Sequence, residues 1–548
     1  MKRALTCTAL LPIMSLNAFG IHSLILPRAT SSLNELQSSN ASLSSTYDLV
    51  VIGGGSAGLT AAKFAANFGK TVCLIESSKI GGDCTWTGCL PSKTLLSAAK
   101  RAYTWRQMNE KFGDPGIIND DCFRKMLNSV KLDVDASRNR IYEEDDSPKV
   151  LKSLGIDIAN GRAYFQDAHS VNVKNEVDGT NTKTYAKFGI VIATGAAPGK
   201  TMFEIAGLDS IAYWTYENVW DEGGFFDAIE QNQKRQVSKT RVIVVGGGPI
   251  GCELSQAISR LGCSVVLISR SNRLLPQGEN EASDELQRVF EKEGIHVICN
   301  QRVLSVKLKD ADDKSIMVTL DSHEPIVGDH ILIATGRVPN VQNMGLDKIG
   351  VKLNRATNGI QVDDKLQTSV KGIFAAGDCT GDRQFTHYAG YQGAIAARNI
   401  LLPLKDLGVL SEVPSTTFTD PEIASFGLTE QAANEKYGAS AVSVSLWKLG
   451  KVDRAVCEGT DTNGFIKVLY QTKTKQILGA TIMCPSAGEM ISELSVAKET
   501  KLPFDKLATV MHSYPTYSIA LQQMAAQVYY DKLKKSKSLY DVLKRIGL

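Results

Sequence analysis

No stretch of this sequence is apolar over the length of a membrane span. Thr, Ser, Asn and Pro interrupt even its most hydrophobic N-terminal run. Charge of one sign is also missing. Lys and Arg number 61 against 58 Asp and Glu, a net charge of +3, so the balance points to neither nucleic acid nor an anionic surface. Cysteine is present without clustering. The 11 cysteines (Cys7, Cys73, Cys84, Cys89, Cys122, Cys252, Cys263, Cys299, Cys379, Cys457 and Cys484) are scattered, which excludes a disulfide scaffold, and no pair has zinc spacing. Most read as small buried apolar residues, with one catalytic pair in a reduced compartment. What remains is an ordinary composition and 548 residues, enough for three or four domains.

The pair is Cys84 and Cys89, within Gly81-Gly82-Asp83-Cys84-Thr85-Trp86-Thr87-Gly88-Cys89-Leu90-Pro91-Ser92-Lys93. Pro is tolerated in the first turn of a helix, and good helix formers follow from Thr94 to Ala102. Cys89 is therefore placed at a helix N-terminus, where the dipole favours thiolate over thiol. Lys93 falls on the same face of that helix. The arrangement reads as a redox dithiol; a buried pair beside a turn is the plain alternative.

Residues 1–20 begin Met1-Lys2-Arg3, continue with the apolar stretch Ala4 to Leu16, and carry a small-residue cleavage site at Ala18-Phe19-Gly20, like a signal peptide. Residues 21–46 are Ser-rich with Glu35 the only acid, like a transit segment. The two together resemble the two-part presequence of a plastid bounded by extra membranes. A plain secretory or mitochondrial presequence is the alternative, and 1–46 is excluded from the fold.

Two dinucleotide folds follow. Asp48 to Ile52 is a buried-type strand, Gly53-Gly54-Gly55-Ser56-Ala57-Gly58 a turn, Leu59 to Phe68 a helix, and Val72 to Ile75 a strand ending in Glu76. Gly53 allows the tight turn, Gly55 lets backbone approach a pyrophosphate, Gly58 permits close packing, and Glu76 accepts from a ribose diol. The pattern recurs at Arg241 to Val245, with Gly246, Gly248 and Gly251, a helix from Cys252 to Leu261 and a strand from Ser264 to Ile268. That strand ends in Ser269-Arg270 instead of an acid, which suits the 2′-phosphate of NADPH; an exposed loop arginine is the alternative. Two dinucleotide sites around a dithiol point to FAD at the first and a nicotinamide nucleotide at the second.

With these motifs in place, the sequence resembles the FAD-dependent pyridine nucleotide–disulfide oxidoreductases, which include dihydrolipoamide dehydrogenase, glutathione reductase and mercuric reductase. The resemblance covers about 47–531. It extends to Ile192-Ala193-Thr194-Gly195 and Ile333-Ala334-Thr335-Gly336-Arg337-Val338-Pro339-Asn340, where the class crosses between domains. Gly372 to Asp378 matches its second flavin motif, and Phe418 to Ala424 opens what resembles its dimerisation domain. The resemblance implies an α/β fold with two Rossmann-like domains and a C-terminal α+β dimerisation domain. The implied division is a presequence over 1–46, an FAD-binding domain over 47–201 and 340–412, an NAD(P)-binding domain over 202–339, a dimerisation domain over 413–531 and a basic tail over 532–548. It implies Cys89 as the thiolate facing flavin, Cys84 as the interchange thiol, and a Lys93–Glu253 pair at the flavin edge. It also implies flavin contacts at Ser56, Ala57, Gly82, Thr194, Gly195 and Asp378, and nicotinamide contacts at Glu253 and Gly336. Pro249 stands where a gating aromatic is common.

The match departs near the C-terminus. Disulfide-reducing members of the class carry a His-Pro-Thr segment and a Glu, the acid/base lent to the partner's cysteines. Here Tyr514 and Ile519 take those places. A phenol with a pKa of about 10 is a poor base. His512 is a substitute if the segment is extended, since it then points the same way as Tyr514; a packing histidine is the plain reading. Mercuric reductases resemble this chain in that Tyr and in Arg270, but typically add a C-terminal Cys pair, and no Cys follows Cys484. Thr85-Trp86-Thr87 also departs from the small aliphatic and Asn residues common between the cysteines.

Residues 103–160 read as a solvated helical insertion with the acidic cluster Glu143-Glu144-Asp145-Asp146. The tail 532–548 reads as a helix packed on its own subunit ahead of one touching a membrane. The whole implies a homodimeric mercuric-reductase-like flavoenzyme taking electrons from NADPH through FAD to Cys84–Cys89 and on to an unidentified acceptor, with no nucleic-acid partner and an organellar, plastid setting. A dihydrolipoamide dehydrogenase using NAD is the close alternative, and a flavin redox sensor without turnover is one of another class.

Overall fold

A computed structural model describes residues 45–545 apart from 113–119, 200–204, 235–238 and 310–314. The presequence reading of 1–46 falls almost wholly outside the described residues. Apolar runs build the first sheet. β1 (Thr46–Ile52), α1 (Ser56–Asn67) and β2 (Val72–Glu76) form a parallel βαβ unit. Leu49 and Val51 on one face of β1 are buried in a cluster with Ala61, Ala62 and Ala65 of α1, and Val50 and Ile52 on the other in a cluster with Phe165, Val171, Val341 and Leu346. α2 (Gly82–Trp86), α3 (Cys89–Phe112), α4 (Asp120–Ile141), a π-turn (Tyr142–Asp146) and α5 (Pro148–Ser153) follow. Then come β3 (Ile156–Asn160), the antiparallel pair β4 (Arg162–Asp167) and β5 (Ser170–Lys174), and β6 (Asn181–Ile192), in the order β3-β2-β1-β6-β5-β4.

The insertion is not the solvated element expected. Leu127, Val130 and Val134 form a helical stripe on α4 that joins Leu95, Ala98 and Ala102 of α3 in one apolar cluster. Asp146 is buried and pairs with Lys63 at 3.1 Å. The charges between the stripe positions hide the stripe in the sequence.

The chain crosses to the second fold through β7 (Ala196–Pro198). There α6 (Phe225–Lys234), β8 (Arg241–Val245), α7 (Pro249–Arg260), β9 (Ser264–Ile268), α8 (Asn280–Lys292) and β10 (His296–Ile298) lead to the antiparallel strands β11 (Val303–Leu308), β12 (Ile316–Leu320) and β13 (Ile326–Gly328). β14 (His330–Ile333) completes a parallel sheet in the order β10-β9-β8-β14. The chain returns through β15 (Arg337–Pro339), which pairs antiparallel with β7, so the two crossings lie side by side. β16 (Ile373–Ala375) then pairs parallel with β6, and α9 (Thr386–Leu401) packs against α1.

The C-terminal part contains β17 (Ser415–Thr417), β18 (Glu422–Gly427), α10 (Glu430–Tyr437), β19 (Val442–Lys448), α11 (Asp453–Glu458), β20 (Phe465–Gln471), β21 (Ile477–Cys484), α12 (Ala487–Glu499) and α13 (Ile519–Arg545). Its strands form a five-stranded antiparallel sheet, β17-β18-β21-β20-β19. Ile466, Val468 and Ile482 share a core there with Leu494, Leu521 and Met524. α13 runs unbroken past residue 531, so the basic tail begins inside a helix and is no separate segment. No described helix is long and apolar enough to cross a membrane.

Candidate active site

The sulfur pair sits on two successive helix starts. Gly81 (φ 105°) and Gly82 (φ 60°) both lie where a side chain is strained, and they turn the chain into α2, which carries Cys84. Cys89 is the first residue of the long helix α3, so the dipole of that helix bears on its sulfur. The two sulfurs are hydrogen-bond partners, and Cys89 Sγ lies 3.0 Å from Thr386 Oγ1 at the start of α9. The hydrogen bond from Cys84 lowers the pKa of Cys89 most. Burial opposes it, Thr386 and Lys93 reinforce it, and the result is about 6. The same hydrogen bond and burial push Cys84 far above the ordinary thiol range. The pair therefore divides into a Cys89 thiolate and a Cys84 thiol.

Lys93 and Glu253 meet at 2.8 Å. Glu253 is buried on α7 and also accepts from the Phe418 N–H at 2.8 Å, while the Lys93 ammonium lies 4.6 Å from the centre of the Phe418 ring. One contact thus joins α3, the second nucleotide fold and the C-terminal part.

Both glycine turns fit a dinucleotide. At the first, a Cβ on Gly53 would collide with the Ala193 carbonyl and one on Gly58 with the Gly53 carbonyl, so both must stay bare. A Cβ on Gly55 would meet nothing nearer than 3.9 Å, which leaves room over the uncapped N-terminus of α1. Ala57 is buried, and Ser56 Oγ donates to the Thr386 carbonyl at 3.0 Å. The Glu76 carboxylate is aimed by backbone N–H groups of Gly54 (2.6 Å) and Ser78 (2.7 Å). The second turn repeats the design. Gly246 and Gly251 are similarly crowded, a Cβ on Gly248 would meet nothing within 4 Å, and α7 starts uncapped with Pro249 in its first turn. Arg270 is exposed at the end of β9, and Arg273 Nη2 donates to the carbonyls of Pro276 (2.7 Å) and Gly278 (3.1 Å).

Asp378 is held by Arg337 at 2.9 Å, and burial raises its pKa against that pairing. Thr194 and Gly195 tie the crossings together. Thr194 Oγ1 donates to the Asn340 carbonyl at 2.6 Å, and the Asn340 N–H donates to the Gly195 carbonyl at 3.0 Å. Gly336 (φ 135°) has open space around it. Thr386, Arg337 and its partners Asp83 and Tyr216 were missed by sequence reasoning. No local spacing signals them, because their contacts join positions far apart in the chain.

His512 and Tyr514 do not point the same way, the first side chain being turned inward and the second outward. Tyr514 is 66% exposed, and its hydroxyl donates to Asp453 Oδ2 at 3.1 Å. That carboxylate raises the pKa of the phenol, which makes it a still poorer base. The His512 side chain is turned inward, with Nε2 2.9 Å from Glu493 and Nδ1 2.9 Å from the Val510 carbonyl. Both ring nitrogens face acceptors, so neither is open to take a proton from a substrate.

Residues 47–393 match the signature of the pyridine nucleotide-disulphide oxidoreductases, and 413–525 match the dimerisation domain of that family. A mercuric reductase from Lysinibacillus sphaericus is 32% identical over 480 residues, 87% of this chain and 82% of that protein. A dihydrolipoyl dehydrogenase from Thermus scotoductus is 31% identical over 497 residues, 88% of this chain and 98% of that protein. Among solved structures, the HOCl-induced flavoprotein disulfide reductase RclA from Escherichia coli superposes with a TM-score of 0.73 at 25% identity, covering 88% of this chain and 99% of its own. LpdA from Mycobacterium tuberculosis gives 0.74 at 27%, with the same coverage.

Proposed function

The chain belongs to the pyridine nucleotide–disulphide oxidoreductases, and from that premise we propose that it is an NADPH-dependent flavoprotein reductase, active as a homodimer, that works through Cys84 and Cys89. The observation that carries this reading is the setting of the pair: Cys84 and Cys89 are hydrogen-bond partners at the start of α3, with Thr386 Oγ1 3.0 Å from the Cys89 sulfur and the Lys93–Glu253 contact one helical turn on. FAD, when bound, supplies the two-electron relay between the nicotinamide and the sulfurs. The N-terminus of α1 and Glu76 would hold its diphosphate and ribose, and Asp378 its ribityl chain. The N-terminus of α7 and Arg270 would hold NADPH. Two electrons from NADPH cleave the Cys84–Cys89 bond. One proton rests on Cys84, and the charge left on Cys89 is met by Lys93, Thr386 and the α3 dipole.

The pair then passes its two electrons and the Cys84 proton to an acceptor, and the Cys84–Cys89 bond re-forms. The relatives are named for mercuric ion and dihydrolipoamide. With His512 closed off and Tyr514 a weak base, acceptors that need no protonated leaving group, such as quinones or a soft metal ion, are favoured over lipoamide and glutathione disulfide. The Ser-rich, acid-poor stretch 21–46 supports a plastid setting.

Anaerobic addition of NADPH to the FAD-loaded protein tests the reading. A long-wavelength thiolate–flavin absorbance is expected, and its absence removes the dithiol mechanism. Faster reduction by NADH would overturn the NADPH assignment to Arg270. If that is joined by rapid lipoamide turnover, the protein is a dihydrolipoamide dehydrogenase.

A further inference from the structure

We propose that Asp83 is a positioning residue for the sulfur pair: through Arg337 it pins the single turn that carries Cys84, and so holds the Cys84 thiol where it donates to Cys89. The inference rests on the dithiol reading above and adds a residue to it.

α2 has five residues. A helix this short does not sustain itself, because its first turn fixes several dihedrals for one hydrogen bond. Its position is imposed from outside. The C-terminal end is held by Arg138, which donates to the Trp86 carbonyl at 2.9 Å, and by Trp220, whose indole donates to the Thr87 carbonyl at 2.8 Å. The Trp86 indole donates to the Ile80 carbonyl at 2.7 Å. The other end, next to Cys84, is held through Asp83. Its Oδ2 accepts from Arg337 Nη2 at 2.7 Å and from the Tyr216 hydroxyl at 3.4 Å. The same Nη2 donates to Asp378 Oδ2 at 2.9 Å, and the guanidinium lies over the Tyr216 ring at 4.8 Å. The Arg337 side chain is 16% exposed, so this is a charge-assisted tie within the site and not a screened surface bridge. One guanidinium nitrogen thus fastens the thiol turn to the carboxylate assigned to the flavin.

The action is through position. The charges that bear on the pair are Lys93 and Glu253 at Cys89, and Asp146 at Cys84. Asp83 sets where Cys84 stands. With that anchor gone, α2 is free to shift, and the hydrogen bond that keeps Cys89 ionised weakens.

The test is the pH dependence of iodoacetamide alkylation of the reduced holoprotein, read at Cys84 and Cys89 by peptide mass spectrometry, together with the melting temperature. Asp83→Asn keeps the shape of the side chain and removes its charge; Asp83→Ala removes both. The thiolate midpoint is expected to rise from about 6 in both variants. Alkylation at pH 6 then slows about fivefold, as a one-unit rise requires. Asp133→Asn, which breaks an exposed 3.0 Å pair with Arg101, leaves the midpoint in place. If Asp83→Ala does not fold, Asp83→Asn decides. An unchanged midpoint in Asp83→Asn overturns the inference whether or not the melting temperature falls, since a fall alone is a structural role. If the wild-type protein shows no lowered midpoint, the dithiol reading itself has failed. If it shows one that Asp83→Asn retains, only the role of Asp83 has.

Discussion

Lys93 lies one helical turn beyond Cys89, near enough for its ammonium to favour the thiolate. The sign follows from the lowered pKa. Reactivity of the pair is present above about pH 6 and fades as the pH falls through that value, when Cys89 takes up its proton. Lys93→Met should move the midpoint of alkylation upward by about one unit, because it removes an opposite charge close to the sulfur. A pH profile identical to wild type would show that the hydrogen bonds from Cys84 and Thr386 suffice without the Lys93 charge. At this scale the sequence was readable where chemistry is local. Cys84, Cys89 and Lys93 fall within one turn-and-helix, and the helix-start argument needs nothing else. Thr386 stands 297 positions from Cys89, and Arg337 stands 254 from Asp83. No periodicity links residues so far apart, and only the folded sheet brings them together. The packing reading of His512 fits its inward-turned side chain, but its partner was out of reach for a related reason. His512 Nε2 meets Glu493, which comes from α12.

Among the elements, the two βαβ units were legible because strand, glycine turn, helix and second strand follow within one short stretch. The α4 insertion was not, since its apolar stripe is diluted by charge. Nor was the seam between the second nucleotide fold and the C-terminal sheet. There Lys467 of β20, with a side chain 2% exposed, meets Glu279 at 3.0 Å and both Glu281 and Glu430 at 2.7 Å. Nothing in a strand pattern marks a lysine as buried, and its partners come from around α8 and α10. Lys467→Met would leave three carboxylates facing one another without a counter-charge. A loss of about 3–5 kcal/mol is expected in denaturant unfolding. A loss under about 1 kcal/mol would mean that water or a cation replaces the ammonium at little cost.

For the whole molecule, the question is where electrons leave. Val510, Met511 and Tyr514 are exposed in one short segment of the C-terminal part, Met511 by 88%. Exposed apolar groups of this kind fit a surface covered by a second copy. Met511→Glu is expected to shift sedimentation from twice the chain mass to the single chain. It should also abolish acceptor turnover while leaving reduction of the sulfur pair by NADPH intact. A variant that stays dimeric would show that Met511 does not hold the interface, and a monomer that still turns over acceptor would show that one chain suffices for the site. The domain family of this half, and with it the homodimer, was legible from Phe418 to Ala424; which residues would make the contact was not, because the partner is a second chain.

The contact of Lys93, Glu253 and Phe418 bears on how such a chain could be rebuilt. Each residue comes from a different third of the sequence, so no third is freely exchangeable. A chimera that imports a foreign nucleotide fold to change coenzyme taste must bring an acid to the place of Glu253, or it leaves the Lys93 ammonium without its counter-charge beside the sulfur. The loop after β9, which carries Arg270 at the surface, lies outside that junction. The junction of Lys93, Glu253 and Phe418 therefore has to be kept as a single unit in any such exchange.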